Sequence, residues 1–361
     1  MRQGQGFGLG LVALGILLGV VGLLQHAVGF MALQHGALYL GVIAVLAVGG
    51  GATLWVVDRR SAMRHTLAGG ASGPSHGATL TMTVRGRTHV RGIPYVLPRD
   101  LDEMNRLDFQ HFVLRQAFKG NFVAPVENPY AILDVGTGTG RWAREVATVF
   151  PTANVIGLDL NPPQMDEKAE AGGEELRSPN YAFVAGNILE GLPFADGSFD
   201  FVHMRLLVLA LPHDRWPFVV NELIRVTRPG GWVESVEVIE DQQGGPAVDQ
   251  IMAWVSAMLQ RRGIDIRDGA RVADLLQAQG LANVFTRRVE VPIGVHGDRV
   301  GKLMAADILT GMQALRGPME ALGLTTADEF DRVFAEAKRA MDSPRVRCVA
   351  PFHLAYGQRP G

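Results

Sequence analysis

The chain has 361 residues, enough for one large domain or two ordinary ones. Its 34 Lys and Arg stand against 36 Asp and Glu, so no global field recruits nucleic acid. A single cysteine, Cys348, excludes an internal disulfide framework and any multi-cysteine zinc or iron-sulfur cluster, and no metal site is expected.

The charges are unevenly placed. Arg2 is the one charged residue among residues 1–57, so 69 of the 70 charges fall on the other 304 residues. Residues 7–24 and 37–57 are apolar runs about long enough to cross roughly 30 Å of hydrocarbon as helices. Tyr39 and Trp55 at the ends of the second suit the two headgroup layers. The spacing predicts a two-helix membrane anchor over 1–57. Arg2 precedes it, Arg59, Arg60 and Arg64 follow it, and the loop between the spans has no Lys or Arg, which places both termini on the cytoplasmic side. Residues 58–92 turn to Gly, Ser, Thr, Arg and His and read as a flexible basic linker, either lying on anionic headgroups or simply solvated.

A third region, residues 93–361, has ordinary globular composition. A helix is expected over Asp100–Lys119, followed by a loop containing Pro125. Ala131–Val135 reads as a strand buried on both faces, running through Gly136, Thr137, Gly138, Thr139 and Gly140 into a helix carrying Trp142, Ala143, Val146 and Ala147. Strand, glycine loop and helix form the opening unit of a doubly wound α/β sheet. The dinucleotide pattern G-x-G-x-x-G requires glycine at position 141, where Arg141 stands. Asp134, two residues before the first glycine, sits badly beside a pyrophosphate and suits a cationic ligand; a sulfonium such as S-adenosylmethionine is one. A second strand, Asn154–Leu160, carries Asp159, placed to accept hydrogen bonds from ribose hydroxyls; a helix cap or turn is the plainer duty of such a residue.

Together ILDVGTGTGRWA, VIGLDLNPPQ, FVAGNILEGLPFADGSFDFVHMR and ELIRVTRPGGWVESVEV resemble the successive motifs of class I S-adenosylmethionine-dependent methyltransferases. With YVLPRDLDEMNRLDFQHFVL ahead of them, they resemble more narrowly the LaeA-like branch. The resemblance implies a Rossmann-like seven-stranded sheet. It also implies a cofactor site of Asp134, Gly136, Thr137, Gly138 and Gly140 around the methionine part, Asp159 on the ribose, and Leu160, Gly186, Asn187 and Ile188 about the adenine. Asn187 departs from the family's usual aspartate there, although its amide oxygen still accepts an N–H.

A fourth strand is expected at Phe199–Met204, a helix at Glu222–Val226, a turn at Arg228–Gly231 and a fifth strand at Trp232–Ile239. These complete a cofactor-binding core of about 130–240. Helix-rich sequence over Asp249–Gln279, last strands at Phe285–Ile293 and Val346–Tyr356, and helices from about Val300 to Ala340 between them make up 241–361. That segment is read as the final sheet strands with a helical acceptor cap, where Met304, Ile308, Met312 and Leu315 either line the acceptor pocket or pack the core. His203 is a candidate base and Arg205 a candidate for orienting an anionic acceptor, with a crevice histidine and a surface cation as the structural alternatives. His111, Tyr95, His213 and Asp214 stand equally open. The Pro-Pro-aromatic signature of amino-methyltransferases is absent after the fourth strand, which favours oxygen or carbon acceptors. The expectation is a membrane-tethered methyltransferase acting on a small or lipid-soluble acceptor; the alternative is a non-catalytic cofactor-binding regulator.

Overall fold

In this computed structural model the described residues are 81–84, 87–90, 101–160, 162, 178–239 and 243–361. All belong to the compact unit Gly77–Gly361. The spans expected at 7–24 and 37–57 lie outside the described residues. Among the described residues no helix is long and apolar enough to cross a membrane.

Within the stretch read as a flexible linker, β1 (Thr81–Val84) pairs antiparallel with β2 (Arg87–Val90), Thr81 opposite Val90 and Val84 opposite Arg87. β-Branched residues on both sides favour that pairing, a signal that the Gly, Ser and Arg content of the surrounding sequence hides.

The main sheet has seven strands: β3 (Ala131–Val135), β4 (Asn154–Asp159), β5 (Tyr181–Ala185), β6 (Phe199–Arg205), β7 (Thr227–Val238), β8 (Ala282–Ile293) and β9 (Cys348–Gln358). Their spatial order is β5-β4-β3-β6-β7-β9-β8. The first five run parallel, while β9 is antiparallel to both β7 and β8. The order reverses direction at β3, and in such sheets the crevice outside the carboxyl ends of the strands is where ligands sit.

The register explains why the site begins where it does. Val155, Ile132, Phe201 and Trp232 are cross-strand partners in one row, and they pack with Trp142, Ala143 and Val146 of α2 (Arg141–Val149). Two residues onward, because side chains alternate, the same face presents Gly157, Asp134, His203 and Glu234. One more step of two brings Asp159 and Arg205 to the strand ends. An apolar floor thus becomes polar toward the carboxyl ends.

On the other face α3 (Trp216–Val226) packs against β6 and β7. It begins at Trp216, well before the expected Glu222, and Pro217 in its first turn is preorganised for a helix start. The expected turn at Arg228–Gly231 is instead part of β7, which starts at Thr227 and absorbs the extra residues as a register shift between Phe199 and Phe201. Gly230 has φ of 78° there, and a Cβ on Gly231 would lie 2.8 Å from the Asp200 carbonyl oxygen.

α4 (Pro246–Gln260), α6 (Arg299–Ala321) and α7 (Ala327–Met341) enclose a second apolar core with β8 and β9, while α5 (Asp268–Ala278) packs on β9. Met304, Met312 and Leu315 are buried in this core and Ile308 packs against it, so all four do core duty. Val113 and Leu114 of α1 (Leu101–Phe118) belong to the same core, which joins α1 to the C-terminal helices. A buried ionic strut adds to this: Arg106 holds Glu103 at 2.9 and 2.6 Å and reaches Asp307 of α6 at 2.8 Å.

Candidate active site

Between β3 and α2 the backbone enters the left-handed region at alternate residues, with φ of 71° at Gly136, 56° at Gly138 and 75° at Gly140. L-side chains rarely tolerate that region, so the GTGTG spacing is a conformational requirement. The loop is pinned to the next strand by Gly136 and Thr137 N–H groups donating to the Leu158 carbonyl at 2.8 and 3.0 Å. At Gly138 a Cβ would meet nothing nearer than Leu107 Cδ1 of α1, 3.7 Å away, so main chain is open to close approach there.

Beneath the loop, Asp134 is buried, and both carboxylate oxygens are engaged: the Thr137 hydroxyl donates to Oδ2 at 2.7 Å and His203 Nδ1 lies 2.8 Å from Oδ1. A carboxylate accepts, so Nδ1 carries the proton. Burial, the largest influence, lowers the His203 pKa despite Asp134, leaving the ring neutral and Nε2 as the lone-pair atom. His203 is 1% exposed and Nε2 has no hydrogen-bond partner among the described residues. The imidazole lies flat on Trp142, centroids 3.8 Å apart and planes 4° from parallel.

Asp159, at the end of β4, is buried and accepts the Gly138 N–H at 3.0 Å, so this carboxylate and the loop backbone form one wall. Leu160 follows it, and the Gly186 N–H donates to the Asp159 carbonyl at 2.9 Å, bringing the GN step beside the strand end. The Asn187 side chain is already used locally. Its Oδ1 accepts the Leu189 N–H at 3.1 Å and its Nδ2 donates to Glu190 at 2.9 Å, capping a short helical turn at Ile188–Glu190 in which Ile188 is buried. Asp159, Leu160, Gly186, Asn187 and Ile188 therefore lie together on the β4 side of the glycine loop.

On the β6 side, Arg205 Nη2 donates to His111 Nδ1 at 3.1 Å. Because a guanidinium has no lone pair to offer, Nδ1 is the acceptor and the His111 proton is on Nε2, which lies 3.1 Å from Glu145 Oε2. Burial lowers the His111 pKa, consistent with that neutral tautomer. Glu145 also takes Arg115 at 2.7 Å and Arg141 at 3.0 Å. Burial opposes its ionisation, but His111 and the two guanidiniums prevail and hold the carboxyl well below the usual range.

Behind this group stand two buried glutamates of β7 that sequence reading passed over. Glu234 Oε2 accepts the Val123 and Ala124 N–H groups at 2.8 and 2.6 Å, and burial pushes its pKa up to about 7. Glu237 accepts Leu207 and Val208 N–H groups at 3.2 and 3.0 Å, tying down the loop after β6, with its pKa up to about 8 from burial. Gly157 was missed as well; a Cβ there would lie 2.7 Å from Thr137 Oγ1. His213, by contrast, is outside the site, pairing at the surface with Asp268 at 2.9 Å. Tyr95 lies outside the described residues.

A family model described as a methyltransferase domain matches residues 132–231, the segment from β3 into β7. The chain is similar to methyltransferase str2 of Strobilurus tenacellus, 31% identical over 262 residues that cover 69% of this chain and 91% of that one. It is 26% identical to N-methyltransferase gliN of Aspergillus fumigatus over 74% of this chain and 96% of the relative. It is also 26% identical to the secondary metabolism regulator laeA of Aspergillus flavus, over 74% and 73%. A glycine loop bent at three alternate positions, flanked by one buried carboxylate beneath and another on the next strand, thus sits in the segment that the family model matches, and the chain belongs to the S-adenosylmethionine-dependent methyltransferases.

Proposed function

We propose that the protein transfers a methyl group from S-adenosylmethionine to a small or lipid-soluble acceptor while tethered to a membrane by residues 1–57, its catalytic domain facing the cytoplasm. The observation that carries the cofactor site is the Gly138 N–H bonded to Asp159 across an open glycine loop. The residues present fit the cofactor: the loop leaves main chain exposed at Gly138, Asp134 lies below as a negative charge, and Asp159 ends the neighbouring strand. Bound there, the cofactor supplies an electrophilic methyl on a sulfonium.

In this reading Asp134, Gly136, Thr137, Gly138 and Gly140 hold the methionine half, Asp159 takes the ribose hydroxyls, and Leu160, Gly186 and Ile188 flank the adenine. Asn187 shapes that pocket by capping its turn. His203 keeps Asp134 in place; its Nδ1 is spent and its Nε2 sealed, so it does not take the acceptor's proton. Methyl transfer disperses charge, so alignment and exclusion of water provide most of the acceleration.

The missing Pro-Pro-aromatic signature supports oxygen or carbon as the acceptor atom, whereas likeness to a protein named as an N-methyltransferase supports nitrogen. A second reading, a cofactor-binding regulator without turnover, is supported by the likeness to a protein named as a regulator. Titration with S-adenosylhomocysteine and with NAD tests the site: the first binds at micromolar or tighter concentration and the second does not. Transfer of labelled methyl to a cell extract separates enzyme from regulator. The tether is tested in vesicles. Removal of residues 1–92 slows turnover of a membrane-dissolved acceptor, and unchanged turnover refutes the tethered part.

A further inference from the structure

Arg205 is the one cation of the crevice whose ionic partner is missing from the described residues. The residue is only partly exposed and its guanidinium is desolvated by burial, and of five N–H donors one is used, on a neutral imidazole. Of the four carboxylates whose charges bear on it, none forms an ion pair with it among the described residues, and each is bonded to other groups, Glu234 through Oε2 alone. Asp134 is held by Thr137 and His203, Glu145 by Arg115, Arg141 and His111, Glu234 by Val123 and Ala124, and Glu237 by Leu207 and Val208. A neutral histidine orients a guanidinium without neutralising it, and a desolvated cation without a counterion is costly.

The placement gives this cation a task. Val135 pairs with Leu158 on one side and with Met204 on the other. One residue further along, Asp159 and Arg205 therefore flank Gly136 from opposite sides, two strand spacings or about 10 Å apart. The carboxylate faces the sugar side of the loop and the guanidinium the far side, at the carboxyl end of β6.

We propose that Arg205, aimed by His111, binds an oxyanion of the methyl acceptor, so that acceptors are small molecules carrying a carboxylate or phosphate close to the methylated atom. A planar guanidinium with four remaining donors matches such a group bidentately. The Arg205 N–H claims the Nδ1 lone pair, and Glu145, 3.1 Å from Nε2 though outside hydrogen-bond geometry, favours the proton on that side of the ring; His111 and Glu145 are positioning residues. This rests on the methyltransferase reading above.

The test uses the full chain loaded with S-adenosylhomocysteine and two probes of one length, decanoate and decan-1-ol, followed by calorimetry. Decanoate is expected to bind at least ten times tighter than the alcohol. Arg205→Gln removes that difference and leaves S-adenosylhomocysteine affinity within twofold, which also shows that the variant folds. Arg205→Lys restores part of it. His111→Gln, which offers an oxygen to Arg205 and an N–H to Glu145, keeps the preference, and His111→Leu reduces it. Equal binding of the two probes, binding of neither, or decanoate affinity unchanged in Arg205→Gln overturns the proposal. A loss confined to S-adenosylhomocysteine affinity in Arg205→Gln also overturns it, since the cation then serves the methionine carboxylate of the donor. Failure of the unaltered protein to bind S-adenosylhomocysteine instead overturns the cofactor reading itself.

Discussion

His203 Nδ1 and Asp134 Oδ1 lie 2.8 Å apart on register-paired residues of β6 and β3, both buried. A histidine in that position holds the carboxylate's orientation, and this differs experimentally from a base. His203→Asn places an amide N–H where Nδ1 was and should keep methyl transfer within a few-fold of the unaltered protein. His203→Leu removes the donor, with a loss of about 10- to 100-fold in kcat/KM, the value of a hydrogen bond to a charged group. A general base would lose about 10²- to 10⁴-fold in both variants, so the ratio of the two rates decides.

Asp159 accepts the Gly138 N–H at 3.0 Å, and in the function proposed above it also takes the sugar of the bound donor. Asp159→Ala should weaken S-adenosylhomocysteine binding by about 1–3 kcal/mol, the cost of orphaning polar groups in a closed site. Asp159→Asn, which retains one acceptor oxygen, should fall between. Calorimetry reads both, and an unchanged affinity in the alanine variant removes the ribose assignment.

The glutamates of β7 make stability depend on pH in a definite direction. Their folded pKa values, about 7 for Glu234 and about 8 for Glu237, are raised by burial above the ordinary 4.5 of the unfolded chain. Between pH 4.5 and about 8 the folded state therefore binds more protons than the unfolded state, and stability falls as pH rises through that window. Each group contributes at most a few kcal/mol. Glu234→Gln keeps one oxygen for both the Val123 and Ala124 N–H groups and cannot ionise. Its urea midpoint should exceed that of the unaltered protein at pH 8.5 and match it near pH 5. A midpoint equally shifted at both values contradicts the assignment.

The elements that sequence placed well are those with local signatures. Ala131–Val135 and the GTGTG bend appear where their apolar run and glycine spacing put them, because a buried parallel strand and three positive φ angles leave few other residue choices. The start of β7 and the length of α3 were not legible, since Arg228, Pro229 and Gly230 carry the composition of a turn and only pairing with β6 keeps them in the sheet. Glu234 and Glu237 read as ordinary strand charges. Their burial depends on which loop N–H groups the tertiary fold brings to them. Arg205 was legible as a candidate, but its partner His111 is 94 residues away on α1 and no spacing rule connects them.

Gly157 shows how a residue with no chemistry of its own controls the site. It pairs with Asp134 across β4 and β3, and a Cβ there would lie 2.7 Å from Thr137 Oγ1 and 2.8 Å from its Cγ2. Thr137 has little room to yield, because its hydroxyl is fixed on Asp134 at 2.7 Å and its N–H on Leu158. Gly157→Ala should therefore cost about 1–3 kcal/mol in stability, the usual range for overpacking, and weaken S-adenosylhomocysteine binding by displacing the loop. Thr137→Ala alone loses the hydrogen bond to Asp134, worth about 1.5–3 kcal/mol with a charged acceptor. In the double variant the two nearest clashing atoms, Oγ1 and Cγ2, are gone and only the Thr137 Cβ at 3.0 Å remains, so its combined cost should be smaller than the sum of the two single costs by about 1 kcal/mol, as expected for residues in contact. Strict additivity in urea denaturation would show that Gly157 and Thr137 do not touch, and the alanine at 157 would then act on the loop by some other route.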